Sequence, residues 1–108
     1  SDRKITAIFQ PHLYTRTRDF YQEFADALSQ LDEVILTEIY PAREQPIEGV
    51  TSQLIYDNLK PGVEKQLICK DDVLEFVKNR TFDVLIVLGA GDLDNYVPQI
   101  TKILENKL

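Results

Sequence analysis

Apolar positions divide this chain into runs of two kinds. Four short, β-rich runs read as strands: ITAIF (5–9), VILTEI (34–39), QLIC (66–69) and DVLIVLG (83–89). The first and last are continuously apolar rather than alternating, which is the pattern of strands covered on both faces. Between the strands the spacing becomes helical. Phe20, Phe24, Ala27, Leu28 and Leu31 mark a helix over 18–31, and Leu54, Ile55 and Leu59 mark a second over about 51–59. Val73, Phe76 and Val77 mark a third over about 71–80, with Asp72 and Glu75 spaced as a capping box. A fourth has Val97, Ile100, Ile103, Leu104 and Leu108 on one face, with Pro98 either in its first turn or kinking it.

Four βα units in succession predict a parallel sheet with right-handed crossovers. The expected fold is a Rossmann-like, three-layer α/β domain with strand order 3-2-1-4 and helices on both faces. The continuous runs 5–9 and 84–88 are expected at the centre of the sheet, and the short QLIC run at an edge. No repeat, low-complexity tract or internal linker interrupts residues 1–108, so one domain is expected. The one long irregular stretch is YPAREQPIEGV (40–50), which reads as an ordered loop. Such loops in compact domains are often functional.

Composition narrows the function classes. A net charge of −6 argues against a nucleic-acid or anionic-membrane partner, since both require a surplus of Lys and Arg. No apolar run is long enough to span a bilayer and no signal peptide opens the sequence, so a cytoplasmic location is expected. Cys69 is the only cysteine and has no internal disulfide partner. Within QLIC it is expected to be a small, buried strand residue in a reducing compartment. The sequence also starts almost inside its first strand, which suggests a piece of something longer.

Against this acidic background, cations gather in one place. Open α/β sheets bind ligands beyond the carboxyl ends of their strands. Beyond the first strand lie His12, Tyr14, Arg16 and Arg18; beyond the second, Tyr40, Arg43 and Glu44; beyond the fourth, Gly89, Ala90, Gly91 and Asp92. Guanidinium groups bind carboxylate and phosphate bidentately, so a small anionic ligand is one reading of this edge. The other reading is local. Thr17 caps the first helix while Asp19 favours its positive end, Arg16 and Arg18 are solvated, and His12 is a turn residue. Arg43 and Glu44 then pair with each other, and GAGD is a tight turn capped by Asp92. Spacing leaves both open. No P-loop, metal-spaced His/Cys cluster or nucleophile signature is present.

Three stretches, FQPHLYTRTRDFYQEFADAL, VILTEIYPAREQPIEGVTS and VLGAGD, occur in order. Together they resemble the C-terminal domain of the Mur ligase family, over almost the whole chain. The resemblance is to the member that joins L-alanine to UDP-N-acetylmuramate in peptidoglycan synthesis. It implies an ATP-dependent amide-bond ligase. A carboxylate is activated as an acyl phosphate with Mg²⁺ assisting, and the amino group of L-alanine attacks it. It implies N-terminal and central domains as partners that hold the UDP-sugar and ATP. This domain alone would then be inactive and bind neither ATP nor Mg²⁺ tightly. It also implies that His12 and Arg16 face the amino acid and the reacting carboxylate, with Gly89–Gly91 beside them. Two rivals belong to other classes. One is a free-standing binding module for a sugar phosphate or amino acid at the same edge. The other is a receiver-like domain, which needs an acidic cluster where this chain has Gln10-Pro11-His12.

Overall fold

The computed structural model describes residues 3–89. In chain order these form β1 (Ile5–Phe9), α1 (Tyr14–Leu28), β2 (Glu33–Leu36), α2 (Gln53–Asn58) and β3 (Glu64–Leu67). A 3₁₀ turn (Lys70–Asp72), α3 (Val73–Lys78) and β4 (Val84–Leu88) follow. The helix expected around Val97–Leu108, and the residues Ala90, Gly91 and Asp92, lie outside the described residues.

All strand pairs are parallel, in the order β3-β2-β1-β4. The chain steps one way from β1 to β3 and then crosses back to β4. Crossovers between parallel strands are right-handed as a rule, which sends α1 and α2 to one face and α3 to the other, and the two separate cores agree. Successive strand residues point to opposite faces, so each layer has its own core. Val34 and Leu36 pack with Ala25, Leu28, Ile55 and Leu59, and Phe9 lies against them. Ile8 and Ile35 pack with Val73 and Val77, flanked by Phe76, Phe82, Leu85 and Val87. Burying an Ile, Leu or Val side chain is worth about 1.5–3 kcal/mol, so these two clusters hold the three layers together. This is the Rossmann-like architecture that the alternating pattern predicts.

The details depart from expectation in several places. β1 is buried, but its buried partner is β2, with all four residues covered. β4 is half-buried and Leu88 is 40% exposed, because among the described strands β4 has a neighbour on one side only. β3 is the edge strand expected, yet it starts two residues before QLIC, pairing Glu33↔Glu64 through Leu36↔Leu67. β2 stops at Leu36 instead of running to Ile39, so the ladder ends there. Cys69 therefore lies past the strand and is exposed, not buried. Finally, the capping box of α3 does not form. The 3₁₀ turn delivers Asp72 in a helical conformation, and its side chain makes no cap bond.

The amino edge of the sheet is closed by an ion pair. Glu33, 6% exposed, accepts from Arg80 Nη1 (3.0 Å) and Nη2 (2.9 Å) and from Thr6 Oγ1 (3.0 Å). A buried carboxylate needs such partners.

Candidate functional site at the carboxyl edge of the sheet

Strand order reverses at β1, with β2 on one side and β4 on the other, and open α/β sheets bind ligands at such a switch point. The joint between β1 and α1 sits there. Gln10 N–H donates to the carbonyl of Leu88 (3.0 Å), which brings the start of the joint alongside Gly89.

Beyond β1 the chain pairs with the YPAREQP loop. Tyr40 N–H donates to Pro11 O and Leu13 N–H donates to Tyr40 O, both at 2.8 Å, making an isolated parallel bridge between His12 and Tyr40. Their rings stack, with centroids 5.8 Å apart and planes at 21°. His12 is thus held by an aromatic face as well as by its backbone. Leu13 then turns the chain into α1 with φ 71° and ψ 139°. A β-carbon resists a positive φ, so a leucine stays there only if its surroundings hold it. Leu13 is tied on both sides: its N–H to Tyr40, and its carbonyl to Thr17 N (3.1 Å) and Thr17 Oγ1 (2.9 Å).

α1 begins at Tyr14, four residues ahead of the expected start. Thr17 is not its cap; it is buried inside the helix and bonds back to Leu13. The first turn contains no acid, and Leu13 supplies no side-chain acceptor. The first N–H groups of a helix still need one. Glu44 meets that need from the loop. Its Oε1 accepts from Tyr14 N (2.5 Å) and Thr15 N (3.2 Å), and its Oε2 accepts from Thr15 Oγ1 (2.6 Å). Ala42, at φ 54°, and the bond from Glu44 N to Pro41 O (2.9 Å) curl the loop so that Glu44 reaches the helix. The Thr15 hydroxyl holds the Glu44 carboxyl below the usual carboxylate range, against the desolvation that would raise it. The two backbone N–H groups and the Arg18 charge add to the lowering. The acid is ionised at the positive end of the helix, where charge of that sign is favoured.

The arginines separate into two kinds. Arg18 Nε pairs with Asp19 Oδ1 at 2.9 Å on the open surface, a pair that contributes little. Arg16 lies in the first turn of α1 and is exposed, and Arg43 is exposed in the loop. Among the described residues neither has a carboxylate partner. Glu44, the partner of Arg43 in the local reading, is engaged on α1 instead. The structure therefore brings His12, Tyr14, Tyr40 and Glu44 into one bonded unit, with Arg16 and Arg43 adjoining it along the chain. Gly89 lies exposed just past β4, while Ala90 and Gly91 are outside the described residues. The sequence places Glu44 at this edge only as a partner for Arg43, and its role as the cap of α1 is what sequence reasoning missed. The available signal was a helix start with no cap of its own.

A separate cavity of about 300 Å³ opens between the ends of β2 and β3, lined by Thr37, Glu38, Ser52, Gln53, Ile68 and Cys69 among others. Among the described residues its lining includes the acidic Glu38 and no Lys, Arg or His.

No family model matches the chain. Curated relatives do, and those described here are named UDP-N-acetylmuramate–L-alanine ligase. The protein of Phocaeicola vulgatus is 65% identical over 106 residues, covering 98% of this chain and 23% of the relative. That of Porphyromonas gingivalis is 51% identical over 106 residues, covering 97% and 23%. That of Cytophaga hutchinsonii is 47% identical over 105 residues, covering 97% and 22%. The chain is homologous to one segment of these ligases and spans under a quarter of their length.

Proposed function

We propose that this chain is the C-terminal domain of a UDP-N-acetylmuramate–L-alanine ligase, and that its β1–α1 joint faces L-alanine and the carboxylate to which it is joined. The observation that carries this reading is the 65% identity over 106 residues, a span that includes both the joint and the YPAREQP loop. The geometry supports it in a specific way. A clamp for an anion must not already be committed to an acid, and Arg16 has no carboxylate partner among the described residues.

Each residue then has a task. Arg16 holds the carboxylate of L-alanine or the acyl phosphate, with each charge-assisted bond worth about 1.5–3 kcal/mol. His12, fixed against Tyr40, positions the reacting groups, with Tyr14 beside it. Arg43 adds positive charge to the rim. Gly89, Ala90 and Gly91 let the amino acid approach the backbone closely. ATP and Mg²⁺ supply the activation of the carboxylate when bound. The sequence has no P-loop, and no three His, Cys, Asp or Glu side chains gather as metal ligands among the described residues. The family resemblance assigns the phosphate chain and metal to the N-terminal and central domains, which are this chain's proposed partners along with L-alanine and UDP-N-acetylmuramate. The compartment proposed is the bacterial cytoplasm. Among the described residues no helix is long and apolar enough to cross a membrane.

The test compares the intact protein carrying this segment with the 108-residue chain. Phosphate release from ATP by the intact protein should require both UDP-N-acetylmuramate and L-alanine, and mass spectrometry should show the amide. The chain alone should release none, and calorimetry with ATP and Mg²⁺ should show no micromolar binding. Micromolar ATP binding by the chain, or turnover without L-alanine, would refute the proposal.

A further inference from the structure

We propose that Glu44 is a positioning residue: it clamps the YPAREQP loop across the β1–α1 joint and so sets where Arg16 and His12 stand for L-alanine. This rests on the ligase reading above. The loop grips the joint at two points on either side of Leu13. Tyr40 holds the β1 side through the His12 bridge and ring stack, and Glu44 holds the α1 side through Tyr14 and Thr15. Leu13 between them adopts a positive φ that the chain would leave if released. Without Glu44 the grip is on one side only, and Leu13 becomes the point about which α1's first turn, and Arg16 with it, shifts relative to His12.

The clamp also determines how an anion is held. A carboxylate near the start of a helix ordinarily seeks the free N–H groups there. At α1 the N–H groups of Tyr14 and Thr15 already serve Glu44. A substrate carboxylate is left to Arg16, whose planar fork imposes a direction on it. Glu44 is thus a residue that touches no substrate yet decides which group binds it.

The experiment uses two variants. Glu44→Ala removes the acceptors, while Glu44→Gln keeps a carbonyl oxygen for the two N–H groups and an amide that can donate to the Thr15 hydroxyl. In the intact ligase, Glu44→Ala should raise the KM for L-alanine by about tenfold to a hundredfold and leave that for UDP-N-acetylmuramate unchanged. Glu44→Gln should restore most of the loss. A purely structural cap would lower the melting temperature and leave both constants alone well below the melt, which would overturn the proposal. In the 108-residue chain, the ring-proton NMR shifts of His12 report its stack on Tyr40. They should move toward free-histidine values in Glu44→Ala and stay near wild type in Glu44→Gln. If the intact wild-type protein shows no alanine-dependent turnover, the ligase reading has failed, and these shifts judge the clamp alone. Unchanged shifts in Glu44→Ala would refute it.

Discussion

Glu33 and Glu44 are both kept charged, at opposite ends of the same sheet and by different means. Glu44 is held in its charged form by the Thr15 hydroxyl, with the N–H groups of Thr15 and Tyr14 at the start of the helix and the Arg18 charge adding to it. Glu33 is buried, and burial alone would raise its pKa; hydrogen bonds from Arg80 and Thr6 and the charges of Arg80 and Lys4 turn the net shift downward. A carboxyl whose folded pKa is depressed stabilises the fold above its unfolded value, near 4.3 for glutamate. That contribution is lost as the pH falls through the folded value. Thermal midpoints are therefore expected to hold near neutrality and to drop as the pH falls below about 4.5. Glu33→Gln should melt lower at pH 7, since Arg80 then faces a neutral group, and its deficit should shrink in acid. A constant gap between the two melting curves from neutral to acid pH would show that Glu33 is not the titrating group.

The elements were legible to different degrees, and β1–α1 shows why. The strand was legible because a continuous apolar run is a local signal. The start of α1 was not, because its cap is Glu44, 30 positions beyond Tyr14, and no local window contains it. The same limit explains Cys69. Four residues of QLIC could not reveal that pairing with β2 would begin at Glu64. Asp72 and Glu75 had the right spacing for a capping box and were overridden by the 3₁₀ turn. At the joint, the residue types were visible but the strained Leu13 was not. That strain has a measurable consequence. Glycine ordinarily costs about 0.5–1 kcal/mol relative to alanine within an element, but at a positive φ it is the residue that fits. Leu13→Gly should accordingly be more stable than Leu13→Ala in urea melts, by about 1 kcal/mol. The reverse order would mean that Leu13 does not hold its positive φ in solution.

At the scale of the whole molecule, topology was the most legible feature. Alternating helical and strand patterns lead to a parallel sheet, and the continuity of ITAIF and DVLIVLG against the short QLIC leads to the order β3-β2-β1-β4 and so to the edge where the cations collect. The position of β4 was less legible, because an apolar run shows that a strand is covered without showing what covers it. Function at that edge comes down to whether Arg16 clamps an anion or only decorates a helix. Lysine in its place keeps the charge and loses the planar fork. The decisive measurement is steady-state kinetics of Arg16→Lys in the intact protein, assayed for the proposed alanine-adding reaction, with thermal melts of the same substitution in the 108-residue chain. Catalytic efficiency should fall by about tenfold to a thousandfold, equivalent to about 1.4–4 kcal/mol of transition-state stabilisation. The melt should stay in place, because an exposed arginine with no carboxylate partner among the described residues contributes little to the core. Wild-type kinetics, or a melting midpoint lowered by many degrees, would instead make Arg16 part of the scaffold.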